Sequence, residues 1–510
     1  MEVVHFSLPF LVQFYFTIDN CTLFYFSRQH IRPERLTLAS LADSGDKWLN
    51  NRDKERIKKQ DGQKQIWRAA KYSVSRDYYP HIRSLLVSSV TRPTAWQPTD
   101  QLARLLTGKH LFYAHGASNQ ERQPARLELT LPGSSVKRLK QAGFATEETD
   151  NRLFITVEST RLHQLTPDFY TLLLNVSFFR QDKEPLHPAW IIEAVYHLSR
   201  SNKCKWISSM AGDEFTTNFS LGDLARSFIS DESRAKQREY SSTMIRFDQP
   251  VDPDTSRELA VRLSRHYPSD YHTTDKPDGC GKLCDFKNVT HILALEGAAT
   301  VVSHDDRQSS SFLADYYTGA FLTNYQPLTL LAFHEYQTLL AFNEEVQKLY
   351  RPGDKEYKQA ATLKRFLDKT LQFRLRFQHP AVSGISMHNR YHDLLRDGFR
   401  LDALLAKLES DSGDMAAFVQ EYHLADSEHK MRGVSAVATG GVTFLTAFAI
   451  VEEVMEVLHW MHGKVGIVAV LTGTALGVIA GTLQWLSRHK TPHWRREAFE
   501  EIVKHKVLKE

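Results

Sequence analysis

Two stretches near the C-terminus carry no charged residue: 433–451, 19 residues long (GVSAVATGGVTFLTAFAIV), and 465–486, 22 residues long (VGIVAVLTGTALGVIAGTLQWL). As helices each would reach about 30 Å, the thickness of a bilayer's hydrocarbon core, the first only just. Charge is missing from every face, unlike the amphipathic pattern of a core helix. The two runs therefore predict a transmembrane hairpin, with a buried soluble hairpin as the alternative. Lys430 and Arg432 precede the first run and Arg488, Lys490, Arg495 and Arg496 follow the second, whereas the connection 452–464 holds three Glu and one Lys. The basic flanks place both termini on the cytoplasmic side and the turn outside, which predicts an inner (plasma) membrane protein.

The rest of the chain reads differently. Over 510 residues the net charge is only +4, from 64 Lys and Arg against 60 Asp and Glu. Mean hydropathy is -0.39, which excludes a polytopic membrane protein, and 24 Gly with 18 Pro excludes collagen-like or broadly disordered material. Four Cys are too few for a disulfide scaffold and suit a reducing compartment. The basic stretch 46–71, nine Lys and Arg against four Asp and Glu, lacks the aromatic interleaving of a nucleic-acid surface and reads as a solvated helix or loop.

Within the first run Ser435, Thr439, Thr443 and Thr446 recur every three or four residues and share one helix face. Such a stripe lines a hydrated path in an oligomer, or bonds backbone carbonyls where helices meet. In the second run Gly473, Gly477 and Gly481 form a small-residue strip suited to close helix packing. Glu452, Glu453 and Glu456 follow the first run. Carboxylates are costly inside a bilayer, so they belong at the outer interface or in a wet cavity; repeated around an oligomer axis they form acidic rings that concentrate divalent cations, and in a single chain they are a solvated turn.

The apolar stretch 8–18 is short and interrupted by Pro9 and Gln13, so it is expected to be a strand and not a signal peptide. LVQFYF and TLFYF, with Asp19 and Asn20 between them, predict a β-hairpin. ARLELTL, RLFITVE, TLLLNVSFF and TMIRF read as strands, PAWIIEAVYHLS as an amphipathic helix, and ILALEG with ATVVS as a tight hairpin. After Ser309 the pattern is helical: a helix around PLTLLAFHEYQTLLAF, with His334 and Glu335 in its core, then 357–377, then 391–408, then an interruption at Gly413, then 415–431 leading into the first uncharged run. The expected organisation is an N-terminal β-hairpin and basic helical region (1–110), a cytosolic α/β domain (111–308), a helical stalk (309–432), the transmembrane hairpin (433–486) and a basic cytoplasmic tail (487–510). The fold class is thus an α+β domain, a helical region and a two-helix membrane hairpin.

Specific catalytic motifs are missing. Neither a phosphate-binding G-x-x-x-x-G-K-[ST], nor G-x-G-x-x-G, nor G-x-S-x-G occurs, so the chain is expected not to be an enzyme. His304, Asp305 and Asp306 form a compact trio that reads as a surface turn. Cys280 and Cys284, spaced C-x3-C, are a weak metal candidate beside the reading as free thiols, since two Cys make no structural zinc site.

The order of these parts, with QFRLRFQHPAVSGISMHNRYHDLLRDGFRLDALLAKL followed by TGGVTFLTAFAI, resembles the CorA-type magnesium transporter superfamily, in particular its divergent members. The resemblance covers about the last 220 residues. It implies a homopentamer with Thr439, Thr443 and Thr446 facing a pore, the three Glu at its mouth, magnesium or another divalent cation as cargo, and an unidentified ligand for the cytosolic domain. One departure is plain: where the family ends its first span with Gly-Met-Asn, this chain reads VEEVMEVLHWMHGK. The other reading of the same features is a tethered sensor whose spans anchor and oligomerise it without transport.

Overall fold

The computed structural model describes residues 16–27, 33–44, 51–60, 62–89, 91, 93–100, 102, 126–145, 151–179, 187–200, 204–208, 215–229, 239–247, 250–271, 280–283, 286–303, 317–349 and 356–457. The chain divides into two units, one of residues 1–348 with 369–410, the other of 349–368 with 411–510.

The first unit is built on a 12-stranded sheet. Its strands are β1 (Phe16–Ser27), β2 (Trp67–Ala69), β3 (Ala95–Pro98), β4 (Arg126–Thr130), β5 (Arg152–Thr166), β6 (Phe169–Phe179), β7 (Cys204–Ser208), β8 (Phe215–Phe219), β9 (Tyr240–Phe247), β10 (Cys280–Leu283), β11 (Val289–Ala294) and β12 (Gly297–Ser303). The main path runs β10-β11-β12-β9-β1-β6-β5-β4-β7-β8, with β3 joining β2 to β5. β12 and β9 are parallel, while β1, β5 and β6 are antiparallel neighbours.

Among the described residues eleven α-helices reach seven residues or more: α1 (Leu38–Ser44), α2 (Asn51–Gln60), α3 (Pro80–Leu86), α4 (Gly133–Gln141), α5 (Pro188–Arg200), α6 (Leu221–Ile229), α7 (Pro253–Arg265), α8 (Gln326–Leu349), α9 (Glu356–Phe377), α10 (Ser386–Phe399) and α11 (Leu401–Val457). Strand periodicity decides which helices cover which face. Leu172, Leu174 and Val176 of β6, Ile155 of β5 and Ile245 of β9 join one core with Leu41 of α1, Trp190 and Ile191 of α5, Leu224 and Phe228 of α6 and Val261 of α7. Each such side chain stabilises by about 1.5–3 kcal/mol when fully buried. The indole N–H groups of Trp67 and Trp190 donate to the carbonyls of Phe228 and Phe144, at 2.8 and 3.0 Å. Residues of alternate parity point to the opposite face, where Thr171 of β6 meets His334 of α8 and Tyr240 of β9 stacks on Phe333 and meets Phe399 at a tilt.

α8 is entered through a π-helical turn, Phe321–Tyr325, and Pro327, which has no backbone N–H to donate, follows directly after it. In the second unit Ala360, Leu363 and Phe366 are the buried residues on α9, three residues apart, and α11 continues as helix to Val457.

Several expectations need correction. Among the described residues no helix is long and apolar enough to cross a membrane, so the transmembrane hairpin is withdrawn from the fold class. Its first run is the later part of α11, and seven of its 19 residues are Gly, Ser or Thr, so freedom from charge overstates its apolarity. Its second run lies outside the described residues. α11 also extends beyond Val451, so Glu452, Glu453 and Glu456 are helical and do not form a turn. The expected N-terminal hairpin is one strand: Asp19 pairs with Ser177 on one side and Met244 on the other, and a strand bonded along both edges has no use for a reversal there. The helix expected over 391–408 breaks at Arg400, whose left-handed backbone (φ 54°) caps α10 through bonds to the carbonyls of Arg396 and Asp397. Gly413 stays within α11.

Candidate functional site

The residues singled out by sequence do not converge on a described site. Ser435, Thr439, Thr443, Thr446, Glu452, Glu453 and Glu456 lie on the helical backbone of α11. Cys280 opens β10 opposite Ala294. Gly473, Gly477, Gly481, Cys284, His304, Asp305 and Asp306 lie outside the described residues, as does the tail. Among the described residues no group of three or more His, Cys, Asp or Glu side chains could hold a metal ion.

The described structure instead holds an open cleft of about 470 Å³, lined by His379 and Pro380 after α9, Asp393 and Arg396 of α10, and Asp402, Leu405 and Glu409 of α11. All belong to the first unit. The left-handed cap at Arg400 turns α10 sharply into α11, and this reversal brings Arg396 to Asp402 across six residues. Beneath them α8 supplies Glu335, between His334 and Tyr336.

Arg396 is forked between two carboxylates. Its Nη1 donates to both oxygens of Glu335, at 2.8 and 3.0 Å, and its Nη2 donates to Asp402 Oδ1 at 2.7 Å. The two acceptors differ in surroundings: the Glu335 side chain is 1% exposed and that of Asp402 is 80% exposed. Burial pushes Glu335 up to about 7, although Arg396 pulls it down. Burial also opposes the charge on Arg396, yet Glu335 and Asp402 together hold that guanidinium above its ordinary range. Asp393 is raised as well, by partial burial, with Arg390 opposing the rise and Asp397 adding to it. Glu409 is paired with Arg374 at 2.9 Å. At the rim the rings of His379 and His81 lie 3.9 Å apart, and burial with the His81 charge lowers His379.

A second polar cluster tests for nucleophilic chemistry. Ser135 Oγ lies 2.6 Å from His197 Nε2, and the buried Glu193 lies 3.9 Å from that same nitrogen. A triad needs hydroxyl and carboxylate on opposite ring nitrogens, and Ser135 is fully buried and accepts a bond from Arg138. The cluster is an anchor: Glu193 accepts two bonds from Arg138 and two from Ser269, which fastens 266–271 to α5.

Neither site was named from sequence. A signal exists, since Glu193 and Glu335 are lone acids inside apolar helical text, but their partners lie 55 and 61 residues away.

No protein-family model matches the chain, and no curated protein does. Among solved structures, the CorA magnesium transporter from Methanocaldococcus jannaschii aligns with 51% of this chain and 94% of its own at 14% identity, with a TM-score of 0.17. A score that low defines no shared fold.

Proposed function

We propose that the chain is a self-associating sensor that acts by binding, not by catalysis, and that its cleft takes an organic cation. Charge in the cleft supports this reading. The lining brings three carboxylates, Asp393, Asp402 and Glu409, together with one guanidinium, Arg396, and that guanidinium is also shared with the buried Glu335, so acidic groups outnumber basic ones in the wall. A cation near Asp393 and Asp402 relieves that imbalance. Size and wall chemistry favour an organic cation over a bare metal, because about 470 Å³ with Leu405 in the wall is ligand-sized and no three-ligand cluster occurs among the described residues. Transport across a bilayer is not part of the proposal.

Self-association rests on the uncharged 433–451 stretch of α11: a helix without charge on any side is stable when covered, and the same stretch of a second copy offers a matching surface. The test of the cleft is calorimetric titration of the full chain with spermidine, beside the Asp393→Asn/Asp402→Asn variant. Saturable binding lost in the variant supports the reading; equal heats, or none, remove it. Sedimentation reads assembly, and a monomer at every concentration refutes it.

A further inference from the structure

Arg396 connects a sealed carboxylate to an open one, and only one of its two ion pairs needs to survive for its charge to stay matched. We infer that Glu335 is a proton switch for the cleft: when it is protonated, the guanidinium of Arg396 is released from the interior and passes to Asp402, so that the solution proton concentration sets the charge the cleft presents.

The geometry carries this. With Glu335 ionised, both its oxygens accept from Nη1. A proton on Glu335 removes one acceptor and the negative charge that holds the guanidinium inward, whereas Asp402, largely in water, keeps its charge and its bond. The cation then has its whole counter-charge on the cleft side. The charged groups facing Glu335 are Arg396 from α10 and Asp402 from the first turn of α11, the first opposing protonation and the second favouring it. His392, one turn before Arg396 on α10, is buried and neutral, and His334 beside Glu335 on α8 is occupied with Thr166 and Thr171. Burial places the titration of Glu335 at about 7, where ordinary changes of pH operate it.

This inference stands on the ion network itself; its consequence for ligand binding rests on the cleft reading above. In the protonated state the cleft is less negative, so affinity for an organic cation falls as the pH falls.

The test is nitrogen NMR of the arginine side chains in the full chain, with the Arg396 signal assigned by its loss in Arg396→Lys. The expected result is a shift of that signal between pH 8 and pH 6, replaced in Glu335→Gln by a signal fixed near the low-pH position. In Asp402→Asn the transition moves to lower pH, because the charge that favours protonation is gone. A signal that does not move in the natural chain, or that moves equally in Glu335→Gln, overturns the switch. Spermidine titrations at pH 8 and pH 6 separate the two proposals: absent binding with a moving Arg396 signal removes the cleft reading and leaves the switch, whereas binding with a static signal does the reverse.

Discussion

Acidification is the perturbation that most directly interrogates the interior of this protein. His163, His291, His334 and His392 are buried, and burial lowers each to about 3. An unfolded imidazole takes up its proton near 6.5. Between those limits the unfolded chain binds more protons than the folded one, so stability falls as the pH falls through this window. Moving from about pH 6.5 to about pH 5 costs roughly 1.5–2 kcal/mol for each of the four, about 7 kcal/mol together. Glu239 and Glu335 act in the opposite sense, since burial raises each to about 7; the folded state keeps a proton that the unfolded state has lost, which returns roughly 2 kcal/mol apiece over the same interval. The net loss from these six groups is about 3 kcal/mol, a large part of the 5–15 kcal/mol typical of folded domains, and His187, which burial lowers to about 4, adds to it. Trp67, Trp96 and Trp190 are buried in the first unit, so urea unfolding followed by tryptophan fluorescence reports the change. A sharper form uses His163, whose two ring nitrogens have no hydrogen-bond partner among the described residues and which meets the Tyr72 ring edge-on at 4.9 Å. His163→Leu removes one of the four imidazoles and two orphaned polar atoms, so it should reduce the acid loss by about 2 kcal/mol and raise stability at neutral pH by about 1 kcal/mol or more. Stability that is flat or rising from pH 6.5 to pH 5, or a His163→Leu chain with an unchanged slope, refutes the reasoning.

Glu193→Ala should destabilise by about 3 kcal/mol, because the side chain is fully buried and its loss leaves the donors of Ser269 unmatched and Arg138 with only Asp270 and Ser135; a change below about 1 kcal/mol in the urea titration would show that the anchor is not needed. Gly297→Ala should cost about 2 kcal/mol or more. Its new Cβ would lie 2.5 Å from the Ser241 carbonyl and 2.9 Å from His266 Nε2, and a melting temperature equal to that of the natural chain would contradict this.

Local pattern made much of the fold legible. TLLLNVSFF alternates between two buried faces and is β6, PAWIIEAVYHLS is α5, and ILALEG with ATVVS supplies β11 and β12 around a turn at Leu295 and Glu296. The failures share a cause. Asp19 and Asn20 are turn formers, but β9 and β6 bond the backbone on both sides of them, and pairing partners distant in sequence outweigh local preference. The end of α10 at Arg400 is equally invisible, since a non-glycine residue holds the left-handed cap, while Gly413, the more obvious breaker, stays helical at a cost of about 1 kcal/mol.

The candidate site was hidden for a further reason: its chemistry depends on a contrast in exposure that no motif encodes. Glu335 and Asp402 are the same kind of group on the same guanidinium, and only the packing of α8 beneath α10 separates a sealed carboxylate from an open one. The uncharged run 433–451 errs in the converse direction. A list of missing charges treats Thr439, Gly440, Gly441 and Thr443 as equivalent to leucine, although a hydroxyl or a bare backbone contributes little to hydrophobic transfer. The same lesson governs both sites: residue type says which interactions are available, and burial decides their sign and strength. Hence Glu335, which reads as a core residue in sequence, acquires its proposed role only through the guanidinium of Arg396 that packing brings to it.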